Sequence, residues 1–148
     1  MASNYSTRSA YNSFLVNTVK VSDDYTVDIL ETGTLFFIDA SAAGSSLDIS
    51  LPSPSYAGMY FKFVWEDTSG RDVNIQLQST SDAFKGLIVR HRHNLAPYLD
   101  VVDTGLSDRM LFYSGTKPGS WVEVHSNGSE WLVYGTHNGS GMEFHNDS

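Results

Sequence analysis

A two-residue alternation of apolar and polar side chains, repeated in short segments, is the feature that most constrains how this chain can fold. An apolar or aromatic residue falls at every second position from 59 to 65, and residues 73–77 repeat the pattern. Successive side chains of a β-strand point to opposite faces, so this period is typical of strands with one buried face. No window shows the 3.6-residue period of an amphipathic helix. The pattern predicts an all-β chain.

The strand pattern recurs along most of the chain, and Gly, Pro, Ser or Asn residues separate the segments. The segments are residues 14–21, 25–30, 34–39, 46–51, 58–66, 72–78, 84–91, 109–114, 120–126, 130–135 and a short tail strand at 142–145. About ten short strands favour an antiparallel β-sandwich of jelly-roll-like type. We expect one such domain over residues 21–148 after an extended N-terminal arm, residues 1–20. One turn of helix is expected at 104–108.

Two hairpins can be read in detail. Residues 67–71 supply a turn between the strands 59–65 and 72–78. Asn127-Gly128 is the favoured pair for a two-residue turn, because both positions need positive φ. A turn at that pair would place Val124 opposite Trp131 and Trp121 opposite Tyr134.

The second hairpin carries apolar residues on both faces. Its core face is predicted to hold Val122, Val124, Trp131 and Val133. Its other face is predicted to hold Trp121, Leu132 and Tyr134, bordered by Glu123, His125 and Glu130. An antiparallel hairpin of an isolated monomer normally turns one face to water. We therefore expect the arm, another sheet or another subunit to cover the second face.

Composition narrows the class of function. The 148 residues include 17 acids against 9 lysines and arginines and no cysteine, for a net charge of −8. This balance argues against a nucleic-acid partner, and the lack of cysteine excludes disulfide and thiolate chemistry. Apolar runs such as residues 35–38 are too short to cross a membrane, and the first residues do not form a signal peptide. We expect synthesis in the cytoplasm and no membrane partner.

Metal binding has weak candidates only. His91 and His93 fall on the same face of a predicted strand, where two imidazoles could chelate zinc. Arg90 and Arg92 flank them and oppose a dication. The acidic groups at 67–72 and at Asp100, Asp103 and Asp108 are more simply turns than calcium loops. We expect no cofactor.

No motif of an enzyme is present. The chain contains no G-x-S-x-G, H-E-x-x-H, P-loop or G-x-G-x-x-G pattern. Because Ser and Asp are plentiful throughout, combinations of Ser, His and Asp carry no information. We expect a protein without enzymatic activity.

The arm and the Trp121 face are the candidate binding surfaces. Residues 1–13 are polar and contain no acid, and Tyr5, Tyr11 and Phe14 are the expected anchors of the arm on a neighbour. Aromatic residues with a polar rim, as at Trp121 and Tyr134, are typical of protein interfaces and also suit a sugar ring. A protein interface is favoured over a sugar-binding site.

Two regions resemble a known group of proteins. Residues 119–135 read GSWVEVHSNGSEWLVYG, and residues 33–65 read GTLFFIDASAAGSSLDISLPSPSYAGMYFKFVW. They are similar to patterns in β-sandwich minor capsid, decoration (cement) and fibre proteins of large double-stranded DNA viruses and tailed phages. Because no segment resembles a fibre shaft, the resemblance favours a capsid-associated role.

The resemblance carries expectations about function and location. It implies a non-enzymatic virion structural protein that contacts the major capsid protein and other virion proteins. It also implies a homo-oligomer, with a trimer favoured, that is located in the virion. A carbohydrate- or receptor-binding module of fibre or lectin-like type is the alternative.

Overall fold

The protein is nearly all-β. A computed structural model describes residues 16–68, 70–79, 81–91, 98–139 and 141–146, with the backbone alone for 98–106. In these ranges the chain forms twelve strands and two single turns of 3₁₀ helix, Ile29–Glu31 and Ala40–Ala42. The strands are β1 (Thr18–Val21), β2 (Tyr25–Thr26), β3 (Leu35–Asp39), β4 (Leu47–Leu51), β5 (Tyr60–Asp67), β6 (Val73–Leu77), β7 (Phe84–His91), β8 (Tyr98–Ser107), β9 (Arg109–Phe112), β10 (Trp121–Ser126), β11 (Trp131–Asn138) and β12 (Met142–His145). The expectation of an all-β chain is confirmed.

The strands form two mixed sheets. The larger has seven strands in the order β1-β3-β5-β10-β11-β7-β8, and the smaller has five in the order β12-β9-β6-β4-β2. The pairs β1/β3, β3/β5, β7/β11, β2/β4 and β4/β6 are parallel. The expectation of antiparallel sheets is wrong for these pairs, because a period of two fixes which face is buried and not the direction of the neighbouring strand.

Four of the five parallel pairs arise because the first six strands alternate between the sheets. β1, β3 and β5 lie in the larger sheet, while β2, β4 and β6 lie in the smaller. The chain therefore crosses between the sheets after each strand and returns in the same direction. The expected hairpin across residues 67–71 is wrong, since β5 and β6 belong to different sheets. The crossing is anchored at Thr68, whose Oγ1 donates to the carbonyl oxygen of Ser114 at 2.9 Å.

Both sheets turn alternate side chains into one shared core. Trp65 of the larger sheet and Phe112 of the smaller have ring centroids 4.4 Å apart. Burying each such side chain contributes roughly 1.5–3 kcal/mol. The largest fully buried side chains are Trp65, Trp131, Phe36, Phe61, Phe63, Phe84, Phe112, Ile38, Leu47, Ile49, Leu51 and Ile75.

The hairpin of β10 and β11 forms in a register two residues from the expected one. Val124 pairs with Val133, and Ser126 pairs with Trp131. A shift of two residues keeps every side chain on its face. Val122, together with the other three predicted core residues, is fully buried, so the prediction of the core face is confirmed.

The register differs because the loop has four residues instead of two. The Oδ1 atom of Asn127 accepts hydrogen bonds from the backbone N–H groups of Ser129 at 2.9 Å and Glu130 at 2.8 Å. The N–H of Asn127 donates to the carbonyl of Glu130 at 3.2 Å. The asparagine side chain thus stabilises a longer turn than the Asn-Gly pair indicates, with Gly128 at φ 98°.

Two other expectations concern the ends of elements. The helical turn expected at 104–108 is wrong, because β8 continues to Ser107 and pairs antiparallel with β7. The strand β1 begins at Thr18, inside the predicted arm of residues 1–20. The expected anchors Tyr5, Tyr11 and Phe14 lie outside the described residues.

Candidate functional site: the outer face of the larger sheet

The outer face of the larger sheet carries apolar side chains on five adjacent strands, together with polar ones such as Lys85, which lies opposite Leu132. Strand register places the side chains of this face opposite one another across β3, β5, β10, β11 and β7, and all those named below are half-buried except Tyr134, which is exposed. The apolar members are Leu35, Phe37, Val64, Leu87, Val89, Trp121 and Leu132, and the polar or amphipathic members are Tyr60, Lys62, Glu123, His125, Tyr134 and Thr136. We call this set the large-sheet face. Its most exposed aromatic side chain is Tyr134, at 52%.

A charged cluster lies in the middle of the large-sheet face. The pairing of β5 with β10 sets Glu123 opposite Lys62, and the two side chains form an ion pair with an Nζ–Oε1 distance of 2.9 Å. The other carboxylate oxygen of Glu123 lies 3.5 Å from Nε2 of His125. The hydroxyl of Tyr60 donates to Oε1 of Glu123 at 3.4 Å. The carboxylate is thus shared by three side chains of two adjacent strands.

The cluster keeps Glu123 ionised. Burial alone would raise the pKa of this carboxyl, but the hydrogen bond and charge of Lys62, with those of His125, outweigh burial and lower the pKa. Burial raises the pKa of the Tyr60 hydroxyl, and the charge of Glu123 adds to that effect. A general acid or base works best with a pKa near the operating pH. The shifts move the pKa values of Glu123 and Tyr60 away from neutral pH, so the cluster suits binding better than proton transfer.

Aromatic rings surround the charged cluster. The ring of His125 lies between Tyr60, at a centroid distance of 4.7 Å, and Tyr134, at 6.0 Å. The Nζ atom of Lys62 lies 4.5 Å from the centroid of the Trp121 ring, within the range of a cation–π contact. The cation therefore takes a place above the indole that a stacked sugar ring would need.

The three predicted interface residues of this hairpin share the large-sheet face, but their pairing differs from the expected one. Trp121 lies opposite Thr136, and Tyr134 lies opposite Glu123. Leu132 lies opposite His125. Trp121 and Tyr134 are therefore diagonal neighbours and are not a directly opposed aromatic pair.

Sequence reasoning missed the part of the face that comes from outside the hairpin. Lys62 and Tyr60 belong to β5, whose partner in the sheet is β10 and not the strand that follows it in the chain. The sequence feature that could have assigned Phe37 and Leu87 to the large-sheet face is the run of consecutive apolar residues in β3 and β7. Such runs are typical of strands covered on both faces.

The weak metal candidates are not brought into a cluster. His91 is exposed at the end of β7, where it pairs with Asn138. His93 lies outside the described residues. Across the described ranges, no group of three or more His, Asp or Glu side chains gathers in a way that could hold a metal ion.

The acidic segments behave as local structure where they are described. The Oδ1 atom of Asp72 accepts the backbone N–H of Ser114 at 2.8 Å, which ties the 67–72 link to the loop after β9. Asp100 and Asp103 belong to β8, of which only the backbone is described. In the part of the chain that the structure covers, no helix has the length and apolar character needed to cross a membrane.

No family model matches the chain, and no curated protein matches it. Its function must therefore be inferred from its own residues.

Proposed function

We propose that this protein is a non-enzymatic structural protein of a virion, a minor capsid, cement or decoration subunit that buries its large-sheet face against a protein neighbour. The observation that supports burial against a protein neighbour is the large-sheet face, with seven apolar side chains on adjacent strands of one sheet. Contiguous apolar surface of this kind marks interaction sites in proteins that are otherwise water-soluble.

The chemistry of the face fits a protein partner. Interfaces combine aromatic side chains at the centre with a few hydrogen-bonded polar groups that fix the orientation of the partner. Here the aromatic groups are Trp121, Tyr134 and Tyr60, and the pre-formed ion pair of Lys62 with Glu123 supplies the polar group. An ion pair that is already satisfied within one subunit can be covered at a lower desolvation cost than two unpaired charges.

The virion assignment comes from the resemblance of residues 33–65 and 119–135. The same resemblance supports three further parts of the proposal: the major capsid protein as partner, a homo-oligomer with a trimer favoured, and location in the virion. A jelly-roll-like arrangement belongs to the same proposal. Two packed sheets around one core support it, while the five parallel pairs depart from the usual ladders. A shell repeats each contact many times, so modest affinity per copy still gives strong retention.

The test is quantitative mass spectrometry of particles purified from the source, with this chain counted against the major shell protein. Many copies per particle support a cement or minor capsid role, and complete absence overturns the proposal. In particles assembled with variants, Leu132→Asp is expected to abolish incorporation, because a carboxylate would be buried in the interface. Leu111→Asp is the matched control, since Leu111 is also a half-buried outward leucine but belongs to the smaller sheet.

The arm has its own test. If residues 1–13 lie along a neighbour, removing them is expected to leave the melting temperature unchanged and to abolish incorporation into particles. Normal incorporation of the shortened chain would contradict the role of the arm.

A carbohydrate- or receptor-binding module is the second candidate, favoured by the exposure of Tyr134 next to His125. Because Lys62 covers the ring of Trp121, Tyr134 would be the stacking residue. In this case Tyr134→Ala removes glycan binding on an array and leaves particle incorporation intact. The first candidate predicts the reverse.

A further inference from the structure

Within the described ranges, one end of the two-sheet fold is left open. β1 is the last strand of the larger sheet and β2 is the last strand of the smaller, and they follow one another in the chain. At the opposite end, the edge strands β8 and β12 contact each other. Among the described residues no strand pairs with the outer edge of β1. Such an edge presents a row of backbone N–H and C=O groups to any extended segment that reaches it.

Exposed apolar side chains occur along residues 16–31, the segment that includes both edge strands of this end. Val16 is 59% exposed, Ile29 is 36% exposed and Leu30 is 88% exposed. The carbonyl of Asn17 accepts the N–H of Leu35 at 2.8 Å, which sets Val16 beside the start of β3. The 3₁₀ turn that carries Ile29 and Leu30 is separated from the same strand by three residues. Three of the most exposed large apolar side chains of the described residues therefore fall on the single stretch 16–30.

The turn that carries Leu30 is firmly held. The Oδ1 atom of Asp28 accepts the N–H of Leu30 at 2.8 Å, and a carboxylate oxygen of Glu31 accepts the N–H of Asp28 at 2.8 Å, which completes a capping box. The hydroxyl of Tyr25 donates to the other oxygen of Glu31 at 2.5 Å, and this hydrogen bond raises the pKa of Tyr25 to about 12. The ring of Tyr25 packs on Phe36 at 5.8 Å. Leu30 thus projects into solvent from an ordered turn.

The charge around the open end is acidic. Residues 16–31 contain the carboxylates of Asp23, Asp24, Asp28 and Glu31 and a single base, Lys20. The Nζ atom of Lys20 already lies 2.9 Å from Asp39 and 3.3 Å from Glu66. Within the described residues, the resulting surface is a strand edge without a partner strand, and it carries exposed apolar side chains and a negative charge. Its complement is an extended segment with apolar and aromatic side chains, a positive charge and no acid.

The first fifteen residues of the same chain have this chemistry. They contain Arg8 as the single charged side chain, and their large side chains include Tyr5, Tyr11 and Phe14. Fully extended, fifteen residues reach about 50 Å, at roughly 3.3 Å per residue, whereas a strand as long as β1 needs only about 13 Å. The segment is long enough to leave its own β1 and reach the open end of a neighbouring copy.

We propose that the open end of one copy binds residues 1–15 of a second copy, which add a strand to the outer edge of β1 and pack an aromatic side chain against Leu30. This inference rests on the proposed function, because it names the surface that the arm occupies. Backbone hydrogen bonds to the edge supply affinity. The exposed apolar side chains and the carboxylates of residues 16–31 supply specificity.

The test uses full-length chains of two isotopic compositions. One preparation carries the photo-crosslinker p-benzoylphenylalanine in place of Tyr5, and the other is uniformly labelled with nitrogen-15. After mixing and irradiation, mass spectrometry is expected to find crosslinks between light and heavy chains that end within residues 16–31. Crosslinks confined to one chain, crosslinks that end elsewhere, or no crosslinks would each overturn the proposal.

Variants at the open end sharpen the result. Leu30→Asp is expected to reduce the crosslinks between copies about tenfold, because an apolar contact is replaced by a charge in an already acidic surface. Tyr56→Asp is the matched control, since Tyr56 is 64% exposed and lies in the loop before β5, and it is expected to change nothing. Equal crosslinking in Leu30→Asp and the parent chain would overturn the proposal. The burial of the large-sheet face is decided separately by Leu132→Asp, so the failure of one proposal is not confused with the failure of the other.

Discussion

The outer faces of the two sheets are built from the same alternation but differ in their chemistry. On the smaller sheet, the side-chain amide of Asn74 donates to Oδ1 of Asp48 at 2.7 Å, and that of Gln76 donates to Oγ of Ser50 at 3.3 Å. We call this outer set of the smaller sheet the small-sheet face; its further members are Arg109, Leu111, Glu143 and His145. The large-sheet face instead carries seven apolar side chains around a charged cluster.

The difference shows which of the two outer faces is suited to exposure to water and which would be stabilised by a partner. On the small-sheet face, Asn74 and Gln76 donate hydrogen bonds to the adjacent strand, and such polar side chains lose little when solvent surrounds them. On the large-sheet face, Trp121, Leu132 and their neighbours gain only part of the free energy that full burial would give, at roughly 25 cal/mol per Å² of apolar area. A partner that covers the large-sheet face would supply the rest, whereas a partner on the small-sheet face would have to displace bound water.

The largest effect is expected from a pair of tryptophan substitutions on neighbouring strands. Trp131 is fully buried, packs on Phe61 at 5.6 Å and donates through Nε1 to the carbonyl of Pro52 at 3.1 Å. Trp131→Ala is expected to lower the free energy of unfolding by about 3–5 kcal/mol, since a large cavity forms. Trp121→Ala, on the outer face, is expected to cost about 1–2 kcal/mol in the isolated chain. Denaturant unfolding measures both.

Equal costs for the two substitutions would contradict the comparison. They would mean that the large-sheet face is already covered within the isolated chain and is a second core.

A smaller effect is expected on the small-sheet face. Asn74→Asp sets a carboxylate against that of Asp48 at a nearly buried position, where like charges repel, and is expected to cost about 2 kcal/mol at pH 7. The loss is expected to shrink as the pH falls and one carboxylate is protonated. Gln76→Glu, next to the uncharged Ser50, is the control and is expected to cost less. A pH-independent loss in thermal unfolding would argue against the polar ladder as its cause.

The smallest effect concerns the ion pair of the large-sheet face. The folded state holds the pKa of Glu123 below the ordinary value of 4.5, so this group contributes stability that is present above that pH and is lost as the pH falls through the folded pKa. Glu123→Gln is expected to cost about 0.5–1 kcal/mol at pH 7 and nothing at strongly acidic pH. Glu143→Gln on the small-sheet face is the control, because its side chain is 54% exposed and solvent screens its contact with His145 more strongly.

A Glu123→Gln variant as stable as the parent chain at every pH would show that the cluster contributes nothing to the isolated fold. Thermal unfolding of both variants between pH 3 and 7 makes the comparison.

The burial of individual side chains could be predicted from the sequence. Alternation alone assigned Val122, Val124, Trp131 and Val133 to the core, because the period of two is a local property of the backbone. The predicted faces survive the two-residue shift of register in the hairpin for the same reason. The shift could not be predicted, because it depends on the side chain of Asn127 accepting two backbone hydrogen bonds within the loop.

The partners of the strands could not be predicted in the same way. The parallel pairing of β3 with β5, which frames the large-sheet face, joins segments separated by a strand of the other sheet. Nothing local in Lys62 indicates that Glu123 lies opposite it. The candidate site was therefore predicted only as far as one hairpin reaches, and the charge at its centre required the complete sheet.

The most direct test of the central claim is hydroxyl-radical footprinting of the isolated chain and of native particles that contain it. The large-sheet face is expected to become protected in the particle, with oxidation of Trp121 and Tyr134 falling roughly fivefold or more as the interface excludes water. Oxidation of His145 on the small-sheet face is expected to stay unchanged. Equal oxidation of Trp121 and Tyr134 in the two states would contradict the account.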